Sequence, residues 1–172
     1  MRGLMLGAAG VLAAAGLAAC TAAGAQTSAG TSGSAGIDRR SEEQIRTQAK
    51  TLLADALKSP SGSASVTLEK YPGHLTMLTV RTKSGGAEMH GSMNDFFFVV
   101  DGEASEVTGG TIVDAKESSP GETRGTRVEG GTPTPMRKGD VIHISPNTPH
   151  QTVLAPGKTF TYYVVKVAAP AS

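Results

Sequence analysis

Gly139-Asp140-Val141-Ile142-His143-Ile144-Ser145-Pro146-Asn147-Thr148-Pro149-His150 reads as a short apolar strand, a Pro-rich turn and a histidine. Sixty residues before that histidine stands His90, in Glu88-Met89-His90, followed after four residues by Asp95. Alternate residues of a strand project to the same side. Glu88 and His90 therefore share a face, and His150 meets them only if the sheet closes. Imidazole nitrogen and carboxylate oxygen are donors suited to divalent transition metals. The two stretches together predict a closed, strand-built domain with a metal site made of Glu88, His90, Asp95 and His150.

The surrounding sequence agrees with short strands. Ser65 to Lys70 and His74 to Thr82 alternate apolar and polar residues, and Ser84-Gly85-Gly86 turns into Ala87 to Gly91. Asp95 to Val100 is strongly apolar, with Phe96, Phe97 and Phe98 in a row. Asp101-Gly102 then turns into Glu103 to Thr108, and Gly109-Gly110 into Thr111 to Ala115. Strands resume at Asp140 to Ile144, Gln151 to Leu154 and Thr159 to Val167. Many short strands broken by Gly pairs predict a sandwich or barrel. Residues 116–132 lack alternation and read as a long loop, either covering the barrel mouth or running over the surface. Arg124 and Arg127 fall in it and read as solvated. His143, flanked by apolar residues, is a fifth candidate near the site, with a satisfied structural role as the simpler reading. His74 carries no partner signal. Of Tyr162 and Tyr163, one should point into the barrel and the other out.

Ahead of the strands, residues 38–59 predict one amphipathic α-helix. Ser41-Glu42-Glu43-Gln44 fits a capping box, Ile45, Ala49, Leu52, Leu53 and Ala56 form one apolar stripe, and Ser59-Pro60 stops the helix. The stripe would pack on the outside of the barrel or serve a dimer contact.

With these motifs in hand, residues 84–168 resemble the cupin superfamily, whose fold is a small double-stranded β-helix (jelly-roll) barrel. The family's first motif runs Gly, a spacer, His-x-His, three or four residues, Glu, six residues, Gly. This chain has Glu88-x-His90, four residues, Asp95, six residues, Gly102. The second motif begins Gly-Asp and ends Pro-x-Gly-x-x-His, matched by Gly139-Asp140 and by Ser145 to His150. The departures are Glu88 for the first His, Asp95 for Glu, Ser145 for Pro, Asn147 for Gly and Leu154 for Asn. Asn147 is a mild change, because Asn tolerates positive φ better than most residues.

The resemblance implies an all-β barrel over residues 60–170 with one divalent metal, Fe, Mn, Zn or Ni, on Glu88, His90, Asp95 and His150. If Asp95 is too short to reach, two His and Glu88 remain, resembling the two-His-one-carboxylate triad of non-haem iron oxygenases. A metal-dependent dioxygenase or isomerase acting on a small oxygen-rich molecule is then expected. The alternative is a non-catalytic barrel that binds a small ligand, with Glu88 and His90 as a plain ion pair. Cupins are often dimers, so a homodimer is a further expectation by resemblance.

The N-terminus is a targeting segment. Met1-Arg2 and the small apolar run Gly3 to Gly16 lead into Leu17-Ala18-Ala19-Cys20, which resembles the lipobox of bacterial lipoproteins. Residues 1–19 would be removed and Cys20 lipidated, anchoring the protein to a membrane. Thr21 after the Cys leans toward the outer membrane rather than the inner one. The other reading is an ordinary secretory signal cut after Ala25. Both export the protein to the periplasm or outer membrane. Residues 20–37 are a Gly/Ser/Ala/Thr linker. With a single Cys, no internal disulfide can form, and a formal net charge of +1 gives no electrostatic case for nucleic acid.

Overall fold

A computed structural model of the chain describes residues 36–170. The expected leader, Cys20 and nearly all of the expected linker lie outside these residues.

Helix α1 (Glu42–Lys58) begins where Ser41 Oγ accepts the backbone N–H of Gln44 and the Gln44 side chain accepts the backbone N–H of Ser41. The two bonds satisfy donors that the first helical turn leaves open. Its stripe lies on the outer face of the sheet. Leu52 and Ala56 are buried with Leu78 and Val80, and Ile45, Ala49 and Leu53 pack around them.

Twelve strands follow: β1 (Ser63–Tyr71), β2 (His74–Arg81), β3 (Ala87–His90), β4 (Met93–Thr108), β5 (Thr111–Val113), β6 (Lys116–Ser119), β7 (Glu122–Gly125), β8 (Arg127–Glu129), β9 (Thr132–Arg137), β10 (Val141–Ile144), β11 (His150–Val153) and β12 (Phe160–Ala168). The main sheet runs β1-β2-β12-β4-β11-β3-β7-β6, with β9 and β10 also paired to β4, and β5 pairs with β8. Every pairing is antiparallel. The first half of β4 pairs with β10 and β12, the second half with β9 and β11. One long strand thus joins the two faces of a curled sheet, the double-stranded β-helix arrangement that the motifs imply. Phe97, Val99, Met136, Ile144, Leu154, Phe160, Tyr162 and Val164 fill the space between the faces.

Strand alternation sorts the ambiguous residues. Phe97 is buried, Phe98 is exposed, and Phe96 stacks on His143 with ring centroids 4.5 Å apart. His143 Nε2 lies 2.9 Å from Asn94 Oδ1, so this histidine is satisfied on the exposed face, away from the candidate ligands. His74 stacks on Tyr71. Tyr162 points inward and is buried.

Three expectations need correction. Asp101-Gly102 is not a turn between strands; β4 passes through it. Gly102 has φ +82, and a Cβ there would lie 2.1 Å from the carbonyl oxygen of Thr159. Glycine lets the strand bend closely past β12. Residues 116–132 are not one long loop, because they contain β6, β7 and β8. Thr132–Arg137, where two prolines and the lack of apolar alternation hide a strand, forms β9. It is an edge strand, paired among the described residues only with β4, which explains how Pro133 and Pro135 fit within it.

Candidate metal centre

Glu88 and His90 project from β3 as strand alternation requires, and β11 sets His150 directly opposite Glu88. The Pro146-Asn147 turn brings β11 there. Asn147 takes φ 58, and its backbone N–H donates to the His90 carbonyl at 2.8 Å. The structure thus brings Glu88, His90 and His150 together, with one donor atom from each lying within 4.8 Å of the others. His150 Nε2 is 3.5 Å from Glu88 Oε1, and His90 Nε2 is 3.9 Å from Glu88 Oε2. Donors bound to one ion at about 2.0–2.2 Å are separated by such distances.

Both imidazoles are held by their outer nitrogens. His150 Nδ1 lies 3.0 Å from the Thr148 carbonyl, and His90 Nδ1 lies 2.6 Å from Glu122 Oε2. An acceptor on Nδ1 places the proton there and leaves a lone pair on Nε2, as ligand histidines require. His150 Nε2 is buried and has no hydrogen-bond partner among the described residues. Burial lowers the pKa of His150, more than its hydrogen bond to Thr148 and the nearby acids raise it, which keeps the ring neutral.

Asp95, from the start of β4, stands beside this trio. Its Oδ2 is 3.3 Å from His90 Nε2 and 4.0 Å from His150 Nε2. The same oxygen carries an ion pair that sequence reading missed, to Lys166 Nζ at 2.6 Å. Lys166 also donates to His90 Nε2 at 2.8 Å. Its ammonium therefore touches two of the four expected ligands. Burial opposes the charge on Asp95, but His90 and Lys166 outweigh it and hold the carboxyl below its usual range. For His90, burial and Lys166 oppose protonation, while Asp95 and Glu122 outweigh them and raise the pKa. Protonating Nε2 would cost the bond from Lys166.

Other groups outside the expected set complete the surroundings. Arg124, read as solvated, is exposed and also pairs with Glu88, lying 3.6 Å from Glu122 Oε2. Burial and the charge of Arg81 lower its pKa. Glu106, on β4, is fully buried; Thr152 Oγ1 donates to its Oε2 at 2.7 Å, and Oε1 has no partner among the described residues. Burial pushes its pKa up to about 7. Burial likewise raises Tyr162, which remains a phenol and accepts from Arg81 Nε at 2.9 Å. The period-two pattern of β12, which puts Lys166 on the same face as Tyr162 and Val164, was the signal available for the lysine. Nothing comparable marked Glu122.

No family model matches the chain, and no curated protein does. Solved structures do. A conserved protein with a double-stranded β-helix domain from Klebsiella pneumoniae is 15% identical, with 66% of this chain and 84% of that one covered and a TM-score of 0.48. A Cupin 2 conserved barrel domain protein from Salinispora arenicola is 18% identical over 62% of this chain and 76% of that one, with a TM-score of 0.43. A polyketide cyclase from Streptomyces resistomycificus is 17% identical over 63% and 68%, with a TM-score of 0.44.

Proposed function

We propose that this protein is an exported metal-binding barrel that holds one divalent transition metal on Glu88, His90 and His150 once Lys166 has left His90 Nε2, which also frees Asp95 to join. The observation that carries the reading is the pair of buried imidazoles, each tied by Nδ1 to an acceptor, with Nε2 turned toward Glu88. A buried lone pair without a donor is costly unless something binds it, and His150 Nε2 is such an atom. The donor set of nitrogen and carboxylate oxygen suits Fe(II), Mn(II), Zn(II) or Ni(II). The bound ion would supply Lewis acidity toward a small oxygen-rich molecule, in the manner of a dioxygenase or isomerase. Export and attachment to a membrane through Cys20 rest on Leu17-Ala18-Ala19-Cys20.

The test is elemental analysis of the purified protein after reconstitution, beside His90→Ala and His150→Ala. We expect about one metal per chain in the parent and a loss of at least tenfold in affinity in each variant. Equal metal content in all three would end the proposal.

One observation favours a second reading, a metal-free barrel that binds a small ligand. The Lys166 ammonium already supplies a cation to Asp95 and His90. That reading predicts no stoichiometric metal in the parent protein and ligand binding that survives chelation.

A further inference from the structure

A cavity of about 210 Å³ opens on Glu88 and Asp95, and its walls carry three cationic side chains: Arg81, Arg124 and Lys166. Two of them have acidic partners, Arg124 with Glu88 and Lys166 with Asp95. Arg81 has none among the described residues. Its Nε donates to Tyr162 Oη at 2.9 Å, and its two Nη groups have no hydrogen-bond partner among those residues. Gly85 makes room for it, since a Cβ there would fall 2.8 Å from Nη1. The phenol thus anchors one edge of a guanidinium and leaves the terminal nitrogens free. Two parallel N–H donors of this kind match a carboxylate.

The charges around the cavity lead to the same place. Arg81, Arg124 and Lys166 are offset by Glu88, Asp95 and Glu122, the carboxylate that holds His90. Glu106, fully buried and within electrostatic reach of Arg81, adds a fourth carboxyl that burial keeps partly protonated near neutral pH, so the set carries no positive excess without a metal. A divalent ion on the proposed ligands gives an excess of up to two positive charges in a cavity that is partly open to solvent. Such an excess is relieved by an anion, because burial strengthens each interaction.

We propose that the cavity receives a small organic carboxylate, with its carboxyl group on Arg81 and its remaining oxygen toward the metal ligands. The charge excess rests on the proposed metal; the unpartnered Arg81 does not. The guanidinium would then choose among ligands by charge, while the apolar walls of Met77, Phe97 and Val164 limit the carbon skeleton.

The experiment is isothermal titration calorimetry of the full protein, metal-loaded and chelated, with lactate, its neutral counterpart lactamide, oxalate and inorganic phosphate. Metal content is measured on each sample. We expect lactate or oxalate to bind at least tenfold more tightly than lactamide. Arg81→Gln should lose tenfold or more of that binding while keeping the parent's metal content, and Arg81→Lys should recover part of it. Equal binding of lactate and lactamide, unchanged affinity in Arg81→Gln, or no binding of any carboxylate at millimolar concentration would overturn the assignment. Binding of phosphate alone would also overturn it. Should Arg81→Gln fail to fold, the lactate and lactamide comparison on the parent protein decides. Carboxylate binding without stoichiometric metal would sink the metal reading and leave this one standing; stoichiometric metal with no charge preference would do the reverse.

Discussion

Lys166 is the residue on which the state of the candidate centre turns. Its ammonium occupies Asp95 Oδ2 and His90 Nε2, two atoms a metal would use. An ion that recruits them has to displace charge-assisted hydrogen bonds worth roughly 2 kcal/mol. Lys166→Met should therefore tighten metal binding by about tenfold or more, measured by competition with a chelating dye. The same change strands the Asp95 carboxylate, so the metal-free variant should lose roughly 3 kcal/mol of stability and regain it when metal is added. A variant with unchanged metal affinity would show that the ion uses neither His90 Nε2 nor Asp95 Oδ2, the two atoms Lys166 occupies. Glu106 gives a prediction about pH. Its carboxyl has an ordinary pKa of 4.5 when exposed and about 7 when folded. Below pH 4.5 both states are protonated and the fold has its full stability from this group. As pH rises toward 7 the unfolded chain ionises first, so stability falls, by roughly 3 kcal/mol once pH exceeds the folded value. In Glu106→Gln the group is never charged. Urea melts of the metal-free proteins between pH 4.5 and 8 should show the parent losing this much relative to the variant, and parallel pH profiles would refute the assignment. Sequence alone placed neither residue. Lys166 falls where period two aims it inward, yet a lysine near a strand end reads equally well as reaching solvent. For Glu106, β4 is polar on both faces around Ser105 and Glu106, so alternation could not say which side was buried.

At the scale of elements, α1 is the clearest case of structure written locally. Its cap, apolar stripe and stop all fall within one short window, and the observed Glu42–Lys58 helix uses them. Leu52 is its buried anchor, packed with Leu78 and Val80 on the sheet's outer face. Leu52→Ala should cost about 2–5 kcal/mol in a urea melt and leave metal stoichiometry unchanged, because this contact lies on the opposite face of β2 from Met77, Thr79 and Arg81. Loss of metal together with stability would show that the helix controls the site. The strands were legible where apolar and polar residues alternate over several positions, as in β2 and β12. They were not legible across residues 116–132. There β6, β7 and β8 are three or four residues long, β6 is exposed throughout, and their apolar content is too low to show a period. Their position depends on pairing with β3 and β5, a tertiary fact. The missed elements carried missed chemistry, since β7 supplies both Glu122 and Arg124. By contrast, the convergence of Glu88, His90 and His150 was readable, because motif spacing encodes both ends of it.

For the whole molecule, the candidate centre lies where distant parts of the chain meet. β3 and β11 are far apart in sequence and pair at a single position, His150 with Glu88. An ion bound to both would act as a reversible crosslink between them, present only in the folded state. Binding confined to that state stabilises it by about 2.7 kcal/mol when free metal is a hundredfold above its dissociation constant. For a domain of this size that corresponds to a rise in Tm of about 10 °C. Calorimetric scans should therefore show the parent protein melting higher with metal than with excess chelator, and the gap should widen with metal concentration. His150→Ala removes one side of the crosslink, so chelator should move its Tm by about half as much as the parent's or less, the remainder expected from a tenfold or greater loss of affinity. Arg81→Gln should retain the metal response, because Arg81 lies outside the proposed ligand set. If chelation moved the Tm of His150→Ala as much as that of the parent, the stabilising ion would be bound elsewhere, and β3 and β11 would be held together by pairing and packing alone.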